Sequence, residues 1–165
     1  MHKIIIVASL AFLLLNAGCF FRFGTTNNDP DIRMGLAIDR EKAFEFSNKL
    51  VEDITAERSE EIYSKMNELS HKSFSVDEIP KTFEKINSHF GKLIETKYKA
   101  EEIGYWLFPD GTKKPMRKFF YSAKTEKAEM GKYFLQIAVI AEEENLKCAN
   151  FSMVEFPNGL PENFK

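Results

Sequence analysis

The feature that most constrains this chain is a change of period at Gly91. Before it, apolar residues recur every three or four positions, as on the buried face of a helix; after it, they alternate, as in a half-buried strand. Ala43, Phe46, Leu50, Val51 and Ile54 make one helical stripe, and Asp39 stands where a capping side chain would accept from the first free amides. That predicts a helix from Asp39 to about Glu57. Ser59 predicts the cap of a second, short helix with Ile62, Tyr63, Met66 and Leu69 on its apolar side, followed by a loop through His71 and Phe74. Asp77 predicts the cap of a third. Its Pro80 lies in the first turn, where a missing N–H does no harm, and Gly91 follows Phe83, Ile86 and Phe90 as the stop.

Beyond Gly91, Ile94, Thr96, Tyr98 and Ala100 alternate with charged residues, and the phase slips near Glu101-Glu102 before resuming at Ile103, Tyr105 and Leu107. Such a slip predicts a β-bulge in a long, bent strand. Pro109-Asp110-Gly111-Thr112 is a turn. Arg117 to Thr125 is the second strand, with Phe119, Tyr121 and Ala123 on one face. Tyr133 to Ala141 is the third, apolar on both faces and so central. Lys147 to Phe156 is the last. Three N-terminal helices packed on a curved four-stranded antiparallel sheet make an α+β fold.

This order resembles the nuclear-transport-factor-2-like, or cystatin-like, cone, and within it small exported bacterial members with no assigned activity. The resemblance rests on an opening amphipathic helix, an Ile62-Tyr63 helix ahead of a polar Ser/Lys loop, a helix near Phe83–Phe90, and the step Phe90-Gly91-Lys92-Leu93 into a long strand. It covers about residues 38–157. It implies a cone whose mouth holds a ligand or seats a partner.

The N-terminus predicts an address. Met1, His2 and Lys3 form a basic tip, Ile4 to Leu15 is apolar apart from Ser9, and Asn16, Ala17, Gly18 and Cys19 close the segment. That is the layout of a secretory signal. The run is too short for an ordinary membrane span of roughly 20 residues. Ala17-Gly18-Cys19 resembles the small-small-Cys box of bacterial lipoprotein signals, which implies cleavage before Cys19, acylation of Cys19, and a protein anchored by lipid on the exported side of the bacterial cell envelope. More than one acyl chain, at about 0.8 kcal/mol per buried CH₂, anchors durably. Two alternatives stay open: a cut near Ala17 that frees the protein, or retention of Ile4 to Phe21 as an anchor, with Phe20, Phe21 and Phe23 against lipid. The division is then 1–19 signal and lipidated cysteine, 20–37 a flexible polar tether containing Thr25 to Pro30, 38–157 the domain, and 158–165 a loose tail.

The whole chain carries a net charge of −2, and loss of Lys3 takes it to −3, so composition implies no affinity for nucleic acid. Lys113, Lys114, Arg117 and Lys118 form a local basic cluster, read either as solvated charges on a strand or as an anionic-headgroup contact. With Cys19 acylated, Cys148 is a lone, buried thiol; without acylation a disulfide is open.

Catalytic signatures are lacking. His71 and His89 sit among polar residues at no metal-ligand spacing, and there is no phosphate loop, nucleophile elbow or neighbouring Cys-His pair. No catalytic residue, metal or cofactor is assigned. Large apolar groups alternate on both faces of the sheet, yet helices cover only one, so the other must meet loops, a partner or a ligand. The polar residues inside the strands, Tyr98, Tyr121, Gln136 and Asn150, are candidate pocket residues, equally readable as satisfied core groups. The expectation is a non-catalytic envelope lipoprotein binding a small apolar ligand or another envelope protein. The alternatives are an enzyme of the same fold (hydrolase or isomerase) and a structural homodimer.

Overall fold

A computed structural model describes residues 36–156 and 159–160. The signal, Cys19, the tether up to residue 35 and most of the tail lie outside the described residues. Among the described residues, four helices precede four strands: α1 (Arg40–Thr55), α2 (Ser59–Lys65), α3 (Glu68–Ser73), α4 (Glu78–Phe90), β1 (Leu93–Leu107), β2 (Lys113–Thr125), β3 (Ala128–Glu142) and β4 (Asn145–Glu155). The strands form one antiparallel sheet in chain order, with β2 and β3 central. The fold is therefore α+β, with the helices on the N-terminal side of the chain.

Local chemistry explains most boundaries. Asp39 caps α1 as its position suggests, its carboxylate accepting from the Lys42 amide at 3.0 Å. α1 buries Ala43, Leu50, Val51 and Ile54, and also the polar Ser47 and Asp53. α4 buries Ile79, Phe83, Ile86 and Phe90, and Gly91 ends it at φ +80°. Only glycine fits there: a Cβ would meet the Lys127 amide nitrogen at 2.9 Å.

The structure differs from the sequence reading in several details. β2 and β3 begin earlier, at Lys113 and Ala128, so Glu129-Met130-Gly131 lies in a strand and not in a turn. Asp77 makes no side-chain cap bond at the start of α4. Residues 68–73 form a helix instead of a loop, because Asn67 accepts from the Ser70 amide at 3.0 Å and so caps this short turn. Leu69 thereby points outward, 39% exposed, rather than joining the α2 stripe. Ser59 is the first residue of α2 and not its cap; Arg58 holds that place without a side-chain bond. The bulge in β1 falls at Lys99, since the register steps from Tyr98↔Tyr121 to Ala100↔Phe120.

The edges are treated differently. The β4 edge is partly closed by the α2–α3 junction, where the amide and side chain of Asn67 both donate to the Cys148 carbonyl, at 3.0 and 3.2 Å. The β1 edge carries a bulge and the exposed lysines Lys97 and Lys99, devices that discourage edge-to-edge pairing.

Candidate binding face

The register divides the sheet into two faces. Phe119, Tyr121 and Ala123 of β2, with Leu135, Ile137 and Val139 of β3 and Cys148 and Met153 of β4, join the helices in one core. Met116, Lys118, Phe120 and Ser122 alternate with them and project the other way, as do Phe134, Gln136, Ala138 and Ile140.

On the helix side, Tyr98 and Tyr121 are brought together, their rings edge-on with centroids 5.9 Å apart. The Tyr121 hydroxyl bonds Ser47 Oγ and Asn48 Oδ1, both at 2.9 Å. Burial pushes the phenol up to about 12, against the lowering effect of the Ser47 bond. Tyr121 is thus a neutral strut between β2 and α1 at ordinary pH. Beside it, Glu101 Oε1 accepts from Arg117 Nη1 at 3.2 Å and Arg40 Nε at 3.1 Å, while Glu101 Oε2 is buried without a hydrogen-bond partner. Asp53 is closed off by Arg58 at 2.7 Å and Lys65 at 2.6 Å. Each carboxylate is spent on tying helices down. A small cleft between α1, α4 and the sheet is lined by Ile54, Phe83, Leu93, Phe151 and Met153; its enclosed space, about 10 Å³, suits one water and no larger ligand.

Gln136 and Asn150 lie on the opposite face. Gln136 stands between Phe120 of β2 and Ser152 of β4, and Asn150 pairs with Ala138; both are half-buried. The four candidate residues are therefore two pairs separated by the thickness of the sheet, and no single pocket contains them all. Beside the second pair lies a second apolar cluster, in which the described members are strand and hairpin residues: Trp106, Phe108, Met116, Ala138, Ile140 and Ala149. An ion pair joins β1 and β2 on this face, Lys118 Nζ to Glu102 Oε2 at 3.1 Å, with both side chains mostly buried. Burial lowers the Lys118 pKa although Glu102 opposes it.

Sequence reasoning missed Lys118, Glu102 and Trp106 as members of one surface, because only the cross-strand register shows that Glu102 faces Lys118. The basic cluster is largely neutralised: Lys114 pairs with Glu142 at 2.6 Å, Arg117 with Glu101 and Lys118 with Glu102, while Lys113 lies over the Tyr105 ring at 4.0 Å. That leaves little net charge to attract an anionic surface.

His71 and His89 are exposed; His71 Nε2 meets the Tyr63 carbonyl at 2.7 Å and His89 packs edge-on to Phe90. Cys148 is buried and free of a disulfide among the described residues, and burial pushes its thiol up to about 12. It is therefore a poor nucleophile at neutral pH. Among the described residues, no group of three His, Cys, Asp or Glu side chains could hold a metal ion, and no helix is long and apolar enough to cross a membrane. Comparison with protein-family models, curated proteins and solved structures gives no match.

Proposed function

We propose that this chain is a lipid-anchored binding module of the bacterial cell envelope. It takes a small apolar ligand or another envelope protein on the sheet face turned away from the helices. The finer fold reading is a nuclear-transport-factor-2-like cone, with that face as the functional surface. The observation that carries the reading is the second apolar cluster, Trp106, Phe108, Met116, Ala138, Ile140 and Ala149, to which no described helix contributes a residue. A sheet that needed only its own core would turn polar side chains outward on this face. Half-buried Gln136 and Asn150 supply the few polar groups that orient a ligand on an apolar floor. The helix side supports the non-catalytic part of the reading, because its buried carboxylates and Tyr121 all hold structural partners.

The test is to recover the protein from its own membranes, with Gln136→Lys alongside, and to identify what co-purifies. A lipid or protein retained by the wild type and lost from the variant, with membrane attachment intact in both, is the expected result. The same retained species in both sinks the assignment of this face. Substitution of Cys19 by alanine should release the protein from the membrane; persistence there supports an uncleaved anchor instead.

A further inference from the structure

The two edge strands differ in what they offer a neighbour. Along an antiparallel edge strand, alternate residues turn their backbone N–H and C=O groups into the sheet, and the residues between them turn theirs away from it. The phase in β4 is set at its end, where the Phe156 amide donates to the Lys132 carbonyl at 3.1 Å. Val154, Ser152 and Asn150 therefore bond β3, opposite Phe134, Gln136 and Ala138. Phe151, Met153 and Glu155 turn their backbone groups away from β3, and among the described residues these groups have no hydrogen-bond partner. Nearer the start of the strand the same side is taken, since the Cys148 carbonyl accepts from Asn67. The stretch Asn150-Phe151-Ser152-Met153-Val154 holds no lysine, arginine or proline, whereas β1 carries a bulge, Lys97 and Lys99.

We propose that β4 pairs with β4 of a second copy of this chain, antiparallel and centred on Met153, so that the two sheets run on into one. A row of outward backbone groups fits an extended strand, and this stretch is its own complement. With Met153 facing Met153 of the second copy, Phe151 faces the second copy's Glu155 and Glu155 faces its Phe151. Every outward group then has a partner. Other registers are worse on two counts. A slide toward Asn145 sets Glu155 against the stretch where Asn67 already holds Cys148. A slide toward Phe156 brings the two Glu155 carboxylates together. In the Met153-centred register those carboxylates stand four residues apart along the pair, about 13 Å, which is beyond the screening length of about 8 Å at physiological salt.

The pairing uses an edge of the sheet and neither of its faces, so it does not rest on the function proposed above. Phe151 and Met153 keep their places against the helix-side core. Facing residues share a side of the joined sheet, so the helices of both copies fall on one side and the outer faces on the other. One strand per copy is a small contact, in the class below about 1,200 Å² in total, so the pair exchanges with the monomer.

In this register Ser152 faces Val154 of the second copy in a pair without backbone bonds, where Cα atoms stand about 4.5 Å apart and a disulfide fits. The full-length protein is oxidised in its own membranes as Ser152→Cys, as Val154→Cys, and as the two variants co-expressed. The expected result is a disulfide-linked dimer that forms several-fold more in the co-expressed sample than with either variant alone. No such dimer, with the strand amides still protected from hydrogen exchange, overturns the proposal. Equal cross-linking by a single variant overturns it too, because it marks another register or chance collision, and so does a link to a different protein in place of a second copy. Glu155→Pro removes an N–H that bonds nothing within the described domain, which an edge strand tolerates. Placed in both cysteine variants, it should cut the cross-link several-fold while Tm stays close to that of the parent. An undiminished cross-link overturns the proposal.

Discussion

Arg117 Nε donates to the Ile38 carbonyl at 2.9 Å, so a charged side chain of β2 ties the start of α1 to the sheet. The same guanidinium reaches Glu101 through Nη1. One side chain, only 4% exposed, therefore fixes both the entry of the chain into the domain and the neighbouring strand β1.

Arg117→Ala should be costly for this reason. It strands the Ile38 carbonyl and leaves Glu101, one oxygen of which has no hydrogen-bond partner already, facing Arg40 alone. Breaking a mostly buried pair costs about 3 kcal/mol. Arg40→Ala, removing an ion pair whose arginine is half exposed, should cost less than about 1 kcal/mol. Urea unfolding of the two variants measures the contrast, and equal losses would show that the Arg117 network does not hold the entry of α1.

Gly91→Ala tests the step from helix to strand. The position combines φ +80° with a Cβ approach of 2.9 Å to the Lys127 amide nitrogen, which is backbone and cannot turn aside. Strain of this kind costs about 2 kcal/mol. A clear fall in Tm is expected. An unchanged Tm would mean that the α4–β1 junction relaxes freely.

Alkaline pH should destabilise the fold through Cys148 and Tyr121. Both have folded pKa values raised by burial to about 12, from ordinary values of 9.0 and 10.0. The folded state thus keeps protons that the unfolded chain releases. Stability is fully present below about pH 9 and declines as pH rises toward 12. Cys148→Ala should flatten the first part of that decline, around pH 9, where Tyr121 is still mostly protonated in both states. Chemical denaturation at a series of pH values reads the slope; an identical slope in the variant would place the titrating group elsewhere.

Much of this architecture was legible from side-chain spacing. The stripes of α1 and α4, the Asp39 cap, the Gly91 stop and the central place of β3 all follow from local periodicity and local chemistry. α3 was not legible, because six residues containing Ser70, His71 and Ser73 carry no helical stripe and depend on the Asn67 cap. The bulge was misplaced by two residues because Lys97, Lys99, Glu101 and Glu102 are all polar, so the phase change shows only where the apolar alternation resumes. The candidate site suffered most. Alternation tells which residues of one strand share a face. It does not tell which face of the next strand matches, so Tyr98 and Tyr121 could not be separated from Gln136 and Asn150 until the register was known.

Native mass spectrometry of the full-length gene product, extracted from its own membranes, tests the central claim most directly. It reads the N-terminus and the bound state at once. The account expects a chain that begins at Cys19 with added acyl mass and carries a bound lipid or partner protein. A chain with an unmodified N-terminus and nothing bound would contradict it.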